Sequence, residues 1–434
     1  MRIRLDIPLL SKEISDGISD FEIRYVSTDT RTLCGGDLFI PLVGKKYDGG
    51  NFTEEAKGRG AIVIEGLSGT ASLLRLAAVY KSKLARLKYT VGITGSVGKT
   101  TAKEFIYKIA KESLYTHKTE ENENNIVGVA KTVLSAPKDT ECLVLEIGTN
   151  HSGEIGEIVE QIPLDIALIT LIGTSHIGNF GSRMAIMQEK LSICKNKKTR
   201  LITRLEDKIS CIFSKKFSVE SKHSDLYLER HKSGVLVYIC GKPLFLSECV
   251  FSEKYLLEEL CGAISVCLEM GIPIEAIKRG VSSLSYDNTR QKIVNVGKFN
   301  IYSDCYNASL ESFSASFEAI SRMKEYSSYS LVFGDIDELW DFGEAIHREL
   351  GRLISTYRFR NIYALGNMTK AVTFELRERN TESRIFDFGA NADFCKVAKT
   401  ITDNSLENEI ILFKASRKMQ LELLIEEIKR RCKA

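Results

Sequence analysis

The chain has 434 residues. A single hydrophobic core is usually smaller than this, so we expect two or three domains. Charged residues make up 27% of the chain, yet the formal net charge is only +3 with both signs interleaved, so no nucleic-acid partner is expected. The apolar runs are only of strand length, so no membrane span is expected. The N-terminus lacks a signal-peptide pattern and the cysteines are scattered without metal-ligand spacing, which predicts a cytoplasmic protein.

Residues 1–86 are predicted to form a small α/β domain. A strand is expected at residues 37–42, followed by a polar turn and a short helix near residues 53–59. A second strand is expected at residues 61–65, and a helix over residues 73–87 leads into the next domain.

Residues 89–101 carry the most informative pattern, YTVGITGSVGKTT. An apolar, β-rich run passes into a glycine-rich turn, and a helix predicted over residues 102–114 follows directly. In such a loop, backbone N–H groups and the start of the helix bind phosphate. The lysine contacts the terminal phosphates, and the hydroxyl of the next residue binds Mg²⁺. The alternative is a glycine turn with a solvated lysine. The nucleotide-binding residues expected here are Gly95, Ser96, Val97, Gly98, Lys99, Thr100 and Thr101.

Strands and helices alternate over residues 87–292, which predicts a mostly parallel sheet covered on both faces. Residues 201–251 are strand-like and rich in turns, which indicates an antiparallel excursion. The other elements expected in this domain are strands at residues 89–94, 142–147 and 166–171 and apolar helices at residues 256–270 and 274–284.

Polar residues stand where this sheet would present its ligand-binding edge. Glu146 ends a strand beside the phosphate loop, where a carboxylate suits Mg²⁺, although a helix-capping glutamate fits the same position. His176 is expected to close the next strand, either in the site or as a hydrogen-bonding loop residue. Lys190, on a helix expected over residues 183–193, is by position alone an ordinary surface lysine. The amides of Asn124 and Asn125 suit phosphate or substrate oxygens, or a plain polar turn.

From residue 293 to 434 the pattern restarts as a second doubly wound α/β domain, with strands at residues 299–303, 330–333, 361–365 and 409–413. Ligands in such sheets bind beyond the carboxyl ends of the strands. Polar residues at those ends indicate either a second binding face or ordinary loop polarity: Asp304, Tyr306, Asn307, Asp335, Lys414, Ser416 and Arg417. Arg290 lies near the hinge between the domains, where a guanidinium suits phosphate.

Ten short stretches together form a recognisable set. They are residues 27–31 (STDTR), 36–39 (GDLF), 48–52 (DGGNF), 94–101 (TGSVGKTT), 122–128 (NENNIVG), 146–154 (EIGTNHSGE), 175–190 (SHIGNFGSRMAIMQEK), 304–307 (DCYN), 334–339 (GDIDEL) and 414–417 (KASR). In this order they resemble the Mur ligase family over nearly the whole chain, and most closely its UDP-N-acetylmuramoyl-tripeptide–D-alanyl-D-alanine ligase branch. Each stretch is weak alone, but their common order is a strong signal.

The resemblance implies an α/β protein of three domains: a small N-terminal domain for a UDP-sugar substrate, a central P-loop domain that binds ATP and a Rossmann-like C-terminal domain for an amino acid or dipeptide. It implies an ADP-forming peptide ligase of peptidoglycan synthesis. ATP would phosphorylate the carboxylate of a nucleotide-sugar substrate, and the amine of D-Ala-D-Ala would attack the acyl phosphate. A monomer is expected.

The resemblance also assigns roles to individual residues. Lys99 would stabilise the transferring phosphoryl group, and Thr100 and Glu146 would hold a first Mg²⁺. His176 would help to hold a second Mg²⁺, and Lys190 would react with CO₂ to give a carbamate on the metal side. The nucleotide would further contact Asn124, Arg290 and Asp304. The two other substrates would contact Thr28, Asp29, Arg31, Asn125, Tyr306, Asn307, Lys414, Ser416 and Arg417.

Several positions depart from the family pattern. Val97 replaces a polar residue before the second loop glycine, and Ala415 replaces a glycine. The family's adenine-side His-Asn-x-x-Asn motif falls at residues 255–259, where both asparagines are missing. These departures leave open a paralogue that joins another nucleotide-sugar acid and amine for a capsule or antibiotic precursor, or a non-catalytic nucleotide-binding subunit. A dinucleotide-dependent oxidoreductase is disfavoured, because the loop carries Lys99 and lacks a GxGxxG pattern.

Overall fold

The computed structural model describes residues 1–14, 20–44, 47–64, 66–207, 209, 214–251, 253–285, 292–379 and 382–433. The chain forms two compact units. The first comprises Met1–Ile172, Met187–Ser252 and Leu256–Leu284, and the second comprises Gly173–Ile186, Glu253–Tyr255 and Ser285–Ala434. Two main sheets in the first unit and one in the second agree with the expected three-domain α/β architecture, whereas the boundaries after residues 86 and 292 stay predictions. No helix in the described ranges is both long and apolar enough to span a membrane.

The N-terminal residues build a small three-stranded sheet, ordered β1-β2-β3, and a separate hairpin, β4-β5. The elements are β1 (Arg2–Leu10), β2 (Glu22–Ser27), β3 (Leu38–Phe39), β4 (Val43–Gly44), β5 (Tyr47–Asp48), α1 (Thr53–Gly58) and α2 (Gly69–Ser82). The strand predicted at residues 37–42 is only two residues long, since Pro41 has no N–H group to extend the ladder. Of the strand predicted at residues 61–65, the described residues keep one bridge between Ile62 and Leu38.

A nine-stranded sheet dominates the first unit. Its strands are β6 (Tyr89–Thr94), β7 (Thr116–Lys118), β8 (Cys142–Glu146), β9 (Ile166–Ile169), β10 (Arg200–Arg204), β11 (Ser214–Ser218), β12 (Leu226–His231), β13 (Gly234–Ile239) and β14 (Lys242–Ser247). The helices along this part of the chain are α3 (Lys99–Ala110), α4 (Ile126–Leu134), α5 (Glu154–Gln161), α6 (Ile177–Phe180), α7 (Arg183–Leu191), α8 (Lys254–Glu269) and α9 (Ile274–Ser282).

The strand order of this sheet is β14-β13-β12-β11-β10-β9-β6-β8-β7. Strands β6 to β12 are parallel, whereas β13 pairs antiparallel with both β12 and β14, which confirms the predicted excursion. Every residue of β8 and β9 is buried, as expected for strands covered by helices on both faces. Because β6 lies between β8 and β9, the glycine loop that follows it emerges from the middle of the sheet.

The second unit contains a six-stranded sheet, ordered β15-β16-β20-β17-β18-β19, in which β15 pairs antiparallel with β16 and the other neighbouring strands pair in parallel. Its strands are β15 (Lys292–Val296), β16 (Phe299–Asp304), β17 (Ser328–Gly334), β18 (Asn361–Leu365), β19 (Arg384–Gly389) and β20 (Glu409–Lys414). Its helices are α10 (Leu310–Ser321), α11 (Gly343–Ser355), α12 (Thr369–Glu378), α13 (Phe394–Asn404) and α14 (Leu421–Lys433). All four predicted strands are present. The two strands not predicted, β15 and β19, are the edges, where partial exposure weakens the apolar pattern.

Candidate active site

The glycine loop between β6 and α3 has a backbone that only glycine tolerates. Gly95 and Gly98 have φ angles of 152° and 88°, in the region that disfavours other residues. A Cβ on Gly95 would lie 1.9 Å from Thr170 Oγ1, and a Cβ on Gly98 would lie 1.8 Å from Glu259 Oε1. Thr170 also donates a hydrogen bond to the carbonyl oxygen of Val97 at 2.6 Å. The loop therefore has a fixed shape set by residues far away in sequence.

This loop leads into a helix start suited to an anion. Helix α3 begins directly after Gly98, which offers no side-chain cap to the first N–H groups of the helix. Those groups and the helix dipole favour negative charge at this end. Lys99 folds back over the loop, and its Nζ donates a hydrogen bond to the carbonyl oxygen of Gly95 at 2.8 Å. The predicted phosphate-loop geometry is therefore present, with its lysine at the loop.

Three predicted site residues meet beside this helix start. Thr100 Oγ1 donates to Glu146 Oε1 at 3.0 Å, and Asn124 Nδ2 donates to the same oxygen at 2.8 Å. The backbone N–H of Glu146 is fixed by Thr119 Oγ1 at 3.0 Å. Glu146 is buried, and its Oε2 has no hydrogen-bond partner within the described residues. A buried carboxylate oxygen without a hydrogen bond is a natural ligand for a hard cation such as Mg²⁺.

A residue that the sequence reasoning missed completes this cluster. Lys103 is fully buried on α3, and its Nζ lies 3.5 Å from Glu146 Oε2. The same Nζ donates to the carbonyl oxygen of Glu121 at 2.6 Å. The available signal was a lysine between the apolar positions Ala102 and Phe105 of a buried helix face. Its positive charge offsets the negative charge of Glu146 at a position that solvent does not reach.

The donor set fits Mg²⁺ but does not enclose it. In the described part of the chain no three His, Cys, Asp or Glu side chains lie together as a ready metal site. Thr100 and Glu146 supply a hydroxyl and a carboxylate, and Mg²⁺ usually completes its shell with water and substrate phosphate oxygens. The residues present therefore suit a cation that arrives with a nucleotide.

Lys190 is buried, so the surface position indicated by sequence position alone is wrong. Its side chain is 3% exposed, and within the described ranges it makes no hydrogen bond or ion pair. Burial and the nearby charge of Lys99 lower the pKa of Lys190 to about 7, although Glu189 acts in the opposite direction. A substantial fraction of this amine is therefore neutral at physiological pH, and the neutral amine is the form that can react with CO₂.

Asn125 and Glu189, which neighbour predicted site residues, each hold the start of a helix. Asn125 caps helix α4, with its Oδ1 accepting from the N–H of Gly128 at 2.9 Å. Glu189, which was not predicted, accepts from the N–H groups of Gly153 and Ile155 at 2.7 and 3.0 Å and so holds the start of α5.

His176 does not close a strand, because β9 already ends at Ile169. It belongs to the second unit, where it has a φ of 64° and precedes the short helix α6. Its Nδ1 contacts a carboxylate oxygen of Glu338, and this hydrogen bond lowers the pKa of Glu338. Beside it, Trp340 Nε1 donates to Asn179 Oδ1 at 2.8 Å. The predicted role of His176 at a second metal stays a prediction.

The predicted C-terminal residues meet at the ends of β16 and β20. Lys414 is 1% exposed, and its Nζ lies 2.6 Å from Asp304 Oδ2, which also accepts from Ser316 Oγ at 2.6 Å. Ser416 Oγ accepts from the N–H of Asp337 at 2.7 Å. These contacts give Lys414, Asp304 and Ser416 a structural role within the second unit.

The remaining predicted residues of this edge differ in exposure. Arg417 is exposed and pairs with Glu422, Asn307 is exposed, and Tyr306 is partly buried. Of this group, Asn307 and Arg417 are thus the most accessible to a ligand.

The predicted N-terminal residues form a local loop. Asp29 accepts from the backbone N–H and Nε of Arg31 at 3.0 and 2.9 Å, and these contacts lower the pKa of Asp29. The N–H of Thr28 donates to the carbonyl oxygen of Met1 at 2.9 Å, and the Arg31 side chain is largely exposed. Arg290 lies outside the described residues.

The chain is similar to known proteins in both sequence and fold. Residues 93–233 match the model of the Mur ligase middle domain. A UDP-N-acetylmuramoyl-tripeptide–D-alanyl-D-alanine ligase of Bacillus subtilis is 30% identical, covering 94% of this chain and 93% of the relative. The fold resembles MurF of Acinetobacter baumannii with a TM-score of 0.84, 24% identity and coverage of 99% and 100%. It also resembles MurF ligase of Thermotoga maritima in complex with ADP, with a TM-score of 0.78, 24% identity and coverage of 94% and 97%.

The match to the relative from Bacillus subtilis covers 94% of the chain, and the middle-domain match spans the phosphate loop, Glu146 and Lys190. The chain therefore belongs to the Mur ligase family, whose members are ATP-dependent, ADP-forming ligases.

Proposed function

We propose that this protein joins D-alanyl-D-alanine to UDP-N-acetylmuramoyl-tripeptide, using ATP, in peptidoglycan synthesis. The observation that carries the proposal is the meeting of Thr100, Glu146 and Asn124 beside the uncapped start of α3. The substrate assignment is supported by the name of the Bacillus subtilis relative and the near-complete coverage of both chains.

The reaction has two steps. The carboxylate of the tripeptide attacks the terminal phosphorus of ATP, and ADP leaves as an acyl phosphate forms. The amine of the dipeptide then attacks the acyl carbon, loses a proton and expels inorganic phosphate as the amide forms. Lys99 and the N–H groups at the start of α3 balance the negative charge that develops on the transferring phosphoryl group.

Thr100 and Glu146 would hold Mg²⁺, and Lys103 would keep the Glu146 carboxylate in position. Bound there, Mg²⁺ supplies positive charge to the phosphate oxygens. Lys190, as a carbamate, would turn from a cation into an anion on the metal side, and its lowered pKa favours the neutral amine that this modification requires. His176 would contribute to a second metal.

Thr28, Asp29 and Arg31 are proposed to contact the uridine nucleotide of the acceptor. Asn125, Tyr306, Asn307 and Arg417 are proposed to contact the two substrates that form the amide. Asp304, Lys414 and Ser416 would act in the same region by holding its shape, given their buried contacts. We propose that the protein works as a cytoplasmic monomer.

The test is a product assay with purified protein. UDP-N-acetylmuramoyl-tripeptide, ATP, Mg²⁺ and D-alanyl-D-alanine are incubated with bicarbonate, and mass spectrometry follows the pentapeptide while phosphate release is measured. Pentapeptide and phosphate in equal amounts are expected. Lys99→Ala should abolish both, and Lys195→Ala, which removes an exposed lysine paired with Glu160, should keep them.

Other outcomes separate the alternatives. Phosphate release with other acids and amines, but none with these substrates, would favour a paralogue with a different product. ATP binding without turnover of any tested pair would favour a non-catalytic subunit.

A further inference from the structure

A second acidic residue lies against the phosphate loop. Glu259, on α8, is 7% exposed, and its carboxyl group contacts Gly98 so closely that an added Cβ there would lie 2.4 Å from Glu259 Cδ. The neighbouring Glu258 points elsewhere, and its Oε1 accepts from Arg204 Nη2 at 2.8 Å. Two adjacent glutamates therefore have different environments, one paired with a cation and one packed on the loop.

Glu259 is not held by a direct contact with a cation among the described residues. Across the residues that the structure describes, its carboxyl group takes part in no hydrogen bond or ion pair. The charged groups that act on it are Lys99 and Arg204, which are positive, and Glu258 and Asp207, which are negative. An unpaired carboxylate in a buried position costs far more free energy than the neutral acid does, so burial favours the neutral acid.

We propose that Glu259 controls the phosphate affinity of the loop: it fills the space beside Gly98 as a neutral carboxylic acid and weakens phosphate binding when it ionises. The inference rests on the proposed function, because it takes the loop to be the site of the nucleotide phosphates. A carboxylate at Gly98 would stand next to the same helix start that receives the phosphates, and like charges at short range repel.

The charge state of Glu259 supports this inference. Burial, with the neighbouring Glu258, raises the pKa of Glu259 to about 8, so the neutral form is the main one at neutral pH. A phosphate bound at the loop adds negative charge and raises this pKa further. Phosphate affinity is therefore at its highest below about pH 8 and falls as the pH rises above it, by about tenfold between pH 7 and 9.

The experiment compares ADP binding by the full chain and by Glu259→Gln, measured by calorimetry from pH 7 to 9 without bicarbonate. Glutamine keeps the shape of the neutral acid and cannot ionise. At pH 7 the two proteins should bind ADP equally within about twofold. At pH 9 the wild-type protein should bind about tenfold more weakly than Glu259→Gln. Lys190, which also titrates here, is common to both proteins and cancels in the comparison.

Glu258→Gln is the matched control. In Glu258→Gln, ADP affinity should still fall as Glu259 ionises. The fall should begin at a lower pH than in the wild-type protein, because removing the negative charge of Glu258 lowers the pKa of Glu259. Proton uptake gives a second readout: at pH 8.5, ADP binding should take up more protons in the wild-type protein than in Glu259→Gln, as seen by comparing buffers of different ionisation enthalpy.

The outcomes are distinct. A parallel decline of affinity in the wild-type protein and Glu259→Gln, or a tenfold weaker Glu259→Gln at pH 7, would overturn the role of Glu259 alone. No ADP binding by the wild-type protein at pH 7 would overturn the proposed function, and this inference with it.

Discussion

Thr100 Oγ1 and Glu146 Oε1 lie 3.0 Å apart and are joined by a hydrogen bond. The contact connects the first turn of α3 with the last residue of β8. Helix α3 follows β6, and β6 and β8 are neighbours in the sheet. A hydroxyl and a carboxylate thus stand together where phosphates would meet the helix start. This pair is the centre of the proposed metal site.

The hydroxyl of Thr100 can be removed without changing its shape. Thr100→Val should lower kcat/KM for ATP by at least about tenfold and raise the Mg²⁺ concentration needed for half-maximal rate, because one oxygen ligand is lost. Thr100→Ser keeps the oxygen and should stay within a few-fold of the wild-type rate. Steady-state kinetics at varied Mg²⁺ check this. Equal rates for the Val and Ser variants would exclude Thr100 as a ligand.

Lys103 is expected to stabilise the buried charge of Glu146. Lys103→Met should lower the free energy of unfolding by about 3 to 5 kcal/mol, because it leaves a carboxylate buried without its cation. Saturating Mg²⁺ should recover part of the loss by supplying positive charge to the same oxygen. Lys108→Met, on the same helix but half-buried, should change stability little. Urea denaturation with and without Mg²⁺ measures both effects, and a loss that Mg²⁺ leaves unchanged would argue against a metal at Glu146.

The sequence was sufficient for the elements with strong local patterns. Strand β18 was predicted with its observed bounds, and the strand, glycine loop and helix of the phosphate site have their expected order. These elements could be predicted because apolar runs and glycine spacing are patterns that lie within a few consecutive residues. The edge strands β15 and β19 were missed for the opposite reason: they face solvent on one side and have a mixed pattern.

Apart from the expected meeting of Thr100 and Glu146, the side-chain partners were not predictable, because they depend on sheet order. Glu146 meets Lys103, 43 residues earlier, only because β8 lies beside β6. Gly98 contacts Glu259 although helix α8 follows it by more than 150 residues. Lys190 gave no sign of burial in its own helix, and its importance came from the family resemblance alone. Residue type and position thus indicated candidates, while the fold decided which of them meet.

Lys190 should make stability depend on pH. Its pKa of about 7 in the folded protein is below the ordinary value of 10.5, so between these values the unfolded chain binds a proton that the folded chain does not. Wild-type stability therefore rises with pH across this window, and at about pH 6 the folded protein bears the full cost of the buried cation. Lys190→Met should be more stable than the wild-type protein at pH 6, with a gain that shrinks towards pH 10. Urea denaturation at several pH values, without bicarbonate, measures the gain.

The exposed Lys195→Met should show no pH-dependent gain in the same experiment. A constant difference between Lys190→Met and the wild-type protein would contradict the lowered pKa. With ¹³C-bicarbonate, the wild-type protein should give a carbamate signal in carbon NMR that Lys190→Met lacks. If the signal persists in the variant, another amine is the modified group.

Lys414 allows a structural role to be separated from a substrate-binding role. Lys414→Met should lower the free energy of unfolding by about 3 to 5 kcal/mol, because Asp304 would remain buried without its cation. Replacing both residues, Asp304→Leu with Lys414→Met, removes the unpaired charge and should recover most of that stability. If the pair only holds the ends of β16 and β20, the double variant should also recover ligase activity with an unchanged KM for D-alanyl-D-alanine. A stable double variant whose KM for the dipeptide rises tenfold or more would show that Lys414 or Asp304 binds substrate directly, as the family resemblance implies.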